Sequence, residues 1–170
     1  MRSAVLIAGL LTASTVLAQA PDSHAPMTSS EAVRLIQLLE QAPLAESARK
    51  VRADLIDWAA ETNDVTITIC DVLGPIPNST VPYGPELLVQ AMFGNGAFQI
   101  QHPKSKGNEY KAQLAGIESM LRAYERIIKA DPTARIPQYD EWLGDLKAGR
   151  LEAKIAPSIQ GKCVDAPAEA

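Results

Sequence analysis

Two stretches of this chain repeat apolar residues at 4-3-4-3-4 spacing, and that rhythm most narrows what it can fold into. Leu44, Ala48, Val51, Leu55, Trp58 and Thr62 form the first series. Tyr110, Leu114, Ile117, Leu121, Tyr124 and Ile128 form the second. At about 3.6 residues per turn, each series lines one face of a helix. The other faces carry charge pairs one turn apart: Glu46/Lys50, Lys50/Asp54, Glu118/Arg122 and Glu125/Lys129.

Weaker signals add further helices. Thr28 and Glu31 have capping-box spacing, so a short helix should run from there to about Gln41. Its apolar set (Val33, Leu35, Ile36, Leu38, Leu39) covers a wide arc. Asp131-Pro132 should end the long helix over 108–130. Ile136, Tyr139, Leu143 and Leu146 give a shorter helix that starts at Pro137 and closes at Gly149. A last turn or two, with Leu151 and Ile155, leads to Pro157. The predicted class is all-α: a compact bundle of five to six helices in antiparallel hairpins.

One segment resists that reading. Val65-Thr66-Ile67-Thr68-Ile69-Cys70 alternates β-branched apolar and polar residues, as a strand would. No second alternating run exists to pair with it. Residues 64–73 are therefore read as helix or extended connector.

Met1 to Ala18 reads as a signal peptide: Arg2, an apolar run too short to span a bilayer, then small residues. Cleavage is expected after Ala18. Residues 19–27 form a flexible linker, 28–163 a single helical domain, and 164–170 a frayed tail. Loss of Arg2 leaves 15 basic against 20 acidic residues, a net charge of −5. That balance does not suit a nucleic-acid binder. No later run is long enough for a transmembrane segment, so the mature chain is expected in the periplasm or outside the cell. In that setting two cysteines, Cys70 and Cys163, suggest one disulfide.

The centre is poor in charge. From Val72 to Gln101, thirty residues include one ionised side chain, Glu86. The first half is a proline- and glycine-rich loop. The second, Glu86 to Gln101, reads as a helix packed among other helices, its glycines allowing close approach of a neighbouring backbone. Tyr83, Glu86, Gln90, Asn95, Gln99 and His102 recur every three to five residues and are the candidate binding residues. The expected ligand is a protein partner or a small apolar or amide-bearing molecule. His102 also suits a helix end, where it can donate to the last carbonyls.

Motifs for chemistry are missing. There is no H-E-x-x-H, C-x-x-C or D-x-D-x-D-G sequence, no G-x-S-x-G elbow, no Walker loop and no dinucleotide fingerprint. No metal and no cofactor is expected. Asn78-Ser79-Thr80 is a sequon that matters only in a eukaryotic secretory pathway. The leading reading is an exported, non-enzymatic helical module that binds through the charge-poor helix. Two alternatives stay open: an enzyme using Glu86 or His102 as general base, with Tyr83 nearby, or a structural envelope component.

Charge also differs along the chain. Residues 28–90 hold four basic and nine acidic residues, and 104–154 hold ten basic and eight acidic. The two parts are therefore able to meet through complementary faces.

GIESMLRAYERIIKADPTAR resembles the second helix of a tetratricopeptide repeat, with Tyr124 as the packing aromatic and Asp131-Pro132 closing the unit. AMFGNGAF resembles its first helix, with Gly94 at the close-contact position. The connection is about 14 residues longer than in a 34-residue repeat, and no second copy is visible. The likeness implies one helical hairpin within 86–134. The mature chain is also similar to small exported bacterial proteins without assigned activity, which implies a helical fold and nothing chemical.

Overall fold

A computed structural model describes residues 27–78 and 80–164. The expected signal peptide, most of the linker, Ser79 of the sequon and the tail beyond Val164 lie outside the described residues. Six α-helices follow in order: α1 (Ser29–Gln41), α2 (Ala48–Glu61), α3 (Gly84–Gln101), α4 (Glu109–Ala130), α5 (Pro137–Lys147) and α6 (Leu151–Ile159). They pack on one another as an all-α bundle, with no strand among the described residues.

Local signals set most boundaries. The Thr28 hydroxyl accepts from the Glu31 N–H at 3.2 Å and caps α1. Asn108 caps α4 in the same way through the Lys111 N–H, at 3.0 Å. Pro132 follows the end of α4, and Pro137 opens α5. Two expectations shift. Leu44 lies in a turn ahead of α2 and is 40% exposed, so the buried stripe of that helix begins at Ala48. α6 continues through Pro157 to Ile159 and widens into a π-helical turn over Gln160–Val164. Proline so near a C-terminus removes only one helical hydrogen bond, to the carbonyl four residues back.

α3 and α4 run antiparallel at the centre. Tyr83, ahead of α3, donates its hydroxyl to Asp131, after α4, at 3.0 Å. Residues 102–108 close the opposite end of the hairpin. Glycine sets the crossing. A Cβ on Gly116 would sit 2.6 Å from the Ala91 carbonyl oxygen, and one on Gly94 would collide with the Ser119 Cβ. These glycines offset their helix-propensity cost by letting the two backbones approach.

Two apolar clusters flank α3. Leu87 and Ala91 join one with Ile117, Leu121, Tyr124, Tyr139, Leu151 and Ile159. Phe93 and Ala97 join the other with Ala32, Ile36, Leu39, Leu55 and Trp58. A helix buried on both sides needs no polar face, and this accounts for its missing charges.

Residues 65–70 are an extended connector, the second of the two forms expected for this segment. It ends at Cys70, paired with Cys163 at disulfide distance, with their Cα atoms 5.6 Å apart. Lys162 reinforces this seam through the Asp71 carboxylate and carbonyl, both at 2.7 Å.

Tyr124 and Tyr139 are fully buried and meet edge to face at 5.5 Å. The Tyr124 oxygen accepts from the Ile136 N–H at 2.8 Å and its hydroxyl donates to Asp140 at 2.9 Å. Burial pushes the Tyr124 phenol up to about 12, and burial raises Tyr139 as well. A phenol whose pKa is raised on folding contributes stability that is intact below about pH 10 and lost as pH climbs through the folded value. Urea midpoints should therefore fall between about pH 10 and 12. Tyr124→Phe should flatten that fall, and an unchanged slope would count against this assignment.

Candidate functional site

The six sequence-predicted residues do not share one face. At about 100° per residue, Glu86 and Gln90 fall on one side of α3, and Asn95, Gln99 and His102 on the other. Glu86 and His102 stand sixteen positions apart near opposite ends of α3, roughly 24 Å along its axis. They do not converge on a common pocket, as a shared catalytic site would require.

Three of the six are buried and turn inward, which corrects the expectation of a ligand-facing amide surface. Gln90 donates to the Ser119 hydroxyl at 2.9 Å and to the Ile36 carbonyl at 3.4 Å. Gln99 brackets the connector. Its Oε1 accepts from the Thr66 N–H at 3.1 Å, and its Nε2 donates to the Thr66 carbonyl at 2.8 Å. That Nε2 also donates to Asn95 Oδ1 at 2.7 Å. Asn95 Nδ2 has no partner among the described residues. Asn95 lines a cavity of about 10 Å³ with Thr68, Cys70, Gln113 and Gly116. Gln99 thus pairs main-chain groups of Thr66 that no helix or sheet satisfies, since buried polar groups left unpaired are costly.

The other three lie nearer the surface. Tyr83 has φ of 53°, a left-handed conformation rare for a bulky residue, and its hydroxyl is held by Asp131. That hydrogen bond is the first cause of a raised Tyr83 phenol and one of those that lower the Asp131 carboxyl. Glu86 occupies the first turn of α3, where the helix dipole favours an acid. Across from it, burial holds the Arg52 guanidinium below its ordinary value, and the Glu86 charge partly offsets this. His102 stacks on Phe98 with ring centroids 4.6 Å apart, and its Nδ1 lies 3.1 Å from the Phe98 carbonyl oxygen. That is the helix-end role expected from its position.

His102 also lines the more substantial feature, a groove of about 290 Å³ between α1, α3 and α4. Gly94, Ala97 and Ala115 supply small lining residues, with Ile36 and Phe98 beside them. Glu40 anchors one wall. Its two carboxylate oxygens accept from the Ser119 hydroxyl at 2.7 Å and from Arg122 Nε at 2.5 Å. Arg122 is also 3.6 Å from Glu118. This joins the acidic N-terminal part of the chain to the more basic C-terminal part. Gln37 and Gln101 stand exposed in the groove without a partner among the described residues.

Glu40, Ser119 and Arg122 are absent from the sequence-level candidates. One local signal pointed to Glu40. It sits in the last turn of α1, where the helix dipole disfavours an acid and no basic residue balances it. Its partners lie 79 and 82 positions away, beyond any spacing rule.

Among the described residues, no group of three or more His, Cys, Asp or Glu side chains could hold a metal ion. No helix there is long and apolar enough to cross a membrane. Compared with protein-family models, with curated proteins and with solved structures, the chain matches none of them.

Proposed function

We propose that this protein is an exported, non-enzymatic helical binding module, and that its recognition surface is the α1/α3/α4 groove. The observation that carries the reading is the lining of that groove. Ile36, Gly94, Ala97, Phe98 and Ala115 form its small and apolar part, and polar and charged side chains surround them, of which two amides, Gln37 and Gln101, are uncommitted. Such a surface suits a ligand with one apolar group flanked by amides, and a peptide segment of a partner protein has that chemistry. The α3–α4 pair, which forms two of the three walls of the groove, is the part that resembles a tetratricopeptide hairpin. Export rests on the signal-like Met1–Ala18 segment and on the Cys70–Cys163 pair. A non-enzymatic role is favoured because neither candidate base has an activating partner: Glu86 is remote from His102, and His102 is stacked on Phe98.

N-acetyl-leucinamide is a suitable probe, titrated to about 10 mM, a range suited to the weak binding of a small fragment. Amide shifts in nitrogen-15 spectra should cluster at Ile36, Gly94, Ala97 and Gln101. Gln37→Trp, at an exposed position, should block the groove and abolish those shifts. Shifts scattered over other faces, or untouched by Gln37→Trp, would overturn the assignment.

A further inference from the structure

The extended connector carries a second surface, separate from the groove. Val65 to Cys70 is an uncharged run. Gln99 pairs both main-chain groups of Thr66, and Gln113 donates to the Thr68 carbonyl at 2.7 Å. Val65 and Ile67 lie over Gly96, 3.8 and 3.5 Å from where a Cβ on it would be. The segment therefore alternates as a strand does, with the main chain of Thr66 and Thr68 turned toward α3 and α4.

In an extended chain the N–H and C=O groups of successive residues point to opposite edges. Those of Ile67 and Ile69 thus face away from the amides. Neither residue has a main-chain hydrogen bond among the described residues. The result is an unpaired strand edge, a template for another strand. Ile69 on this segment is 60% exposed, more than any other large hydrophobic residue among those described.

We propose that this edge pairs with the same edge of a second copy, antiparallel, about a two-fold axis at Thr68. That register sets Ile67 opposite Ile69 of the other copy, twice. Both are residues whose main-chain groups face outward, so each crossing forms a hydrogen-bonded pair. Thr68 then faces its own copy in the non-hydrogen-bonded pair, where side chains come closest and a Thr–Thr contact is favourable. Exposed Ile69 gains cover from Ile67 across the seam. An axis at Ile67 would instead draw in Val65, which is buried. No charge in the segment opposes the approach, and a two-fold pairing closes on itself at two copies.

A two-stranded seam is small, so the dimer is weak and reversible. Sedimentation of the mature chain should show monomer at about 10 μM and dimer toward about 1 mM, the range of weak contacts. Over that range the Ile67 and Ile69 amides should exchange with deuterium more slowly as concentration rises. The Thr68 side chain is exposed, so Thr68→Lys and Thr68→Glu should fold, with unchanged helical circular dichroism. Each variant alone places like charges across the axis and should stay monomeric. An equal mixture should restore dimers through the Lys–Glu pair. A wild-type chain that stays monomeric to about 1 mM, a dimer that survives both substitutions, or a mixture that stays monomeric would overturn the proposal.

Discussion

Breaking the Cys70–Cys163 pair is expected to cost about 2–5 kcal/mol, among the largest effects available to a small change in this chain. The pair joins residues 93 positions apart. A loop of that length gives the chain-entropy model about 4–5 kcal/mol of unfolded-state constraint. It also fastens the end of the extended connector to the π-helical turn after α6. Lys162 to Asp71 is an exposed ion pair, worth at most about 1 kcal/mol. A Cys70→Ser/Cys163→Ser variant should keep its helical circular dichroism at 25 °C and unfold at clearly lower urea. Added reductant should move the parent chain to the same midpoint. The native protein should show no reactive thiol before reduction. Equal midpoints with and without reductant would mean that the pair contributes nothing.

The second large effect concerns the α3–α4 crossing. Gly116→Ala should destabilise the fold by about 2 kcal/mol, roughly 4–8 °C in melting temperature for a chain of this size. In an isolated helix the same change would be stabilising, by up to about 1 kcal/mol. Tertiary contact reverses the sign. The new methyl group would sit 2.6 Å from the Ala91 carbonyl oxygen, a main-chain atom that moves only if the helix moves. Gly144 in α5 provides the internal control. A Cβ there meets nothing within 4 Å, so Gly144→Ala should raise stability by about 0.5–1 kcal/mol. Thermal unfolding of the two variants should therefore shift in opposite directions. Matching shifts would show that close packing does not set the crossing.

These cases show where the sequence was legible. Thr28 as a cap, Asp131-Pro132 as a stop and Pro137 as a start all act within one helical turn. Such signals survive without tertiary context, and the helix boundaries follow them closely. The close approach at Gly94 was legible for a related reason: glycine inside a helix is costly unless a neighbour needs the space. Gln90, Asn95 and Gln99 were legible only as uncharged amides in a buried setting. An amide that binds a ligand and an amide that satisfies a connector's main chain have the same chemistry and spacing. The choice between them depends on what lies opposite, and for Gln99 that is Thr66, 33 residues away. Glu40 illustrates the same limit, because Arg122 and Ser119 reach it only after α1 has docked on α4.

By itself the sequence determined the class of fold, the approximate helix limits, the pairing of two cysteines and the neutrality of the central helix. Each of these follows from local periodicity, from residue chemistry or from a count. Only the tertiary structure decided which side of α3 each amide serves, that the Val65–Cys70 run is an extended connector, and that a groove opens beside Glu40 and His102. Those outcomes depend on contacts between residues far apart in the chain. Long-range contacts form where burial and hydrogen bonding outweigh the entropy of closing long loops, and no spacing rule records that balance.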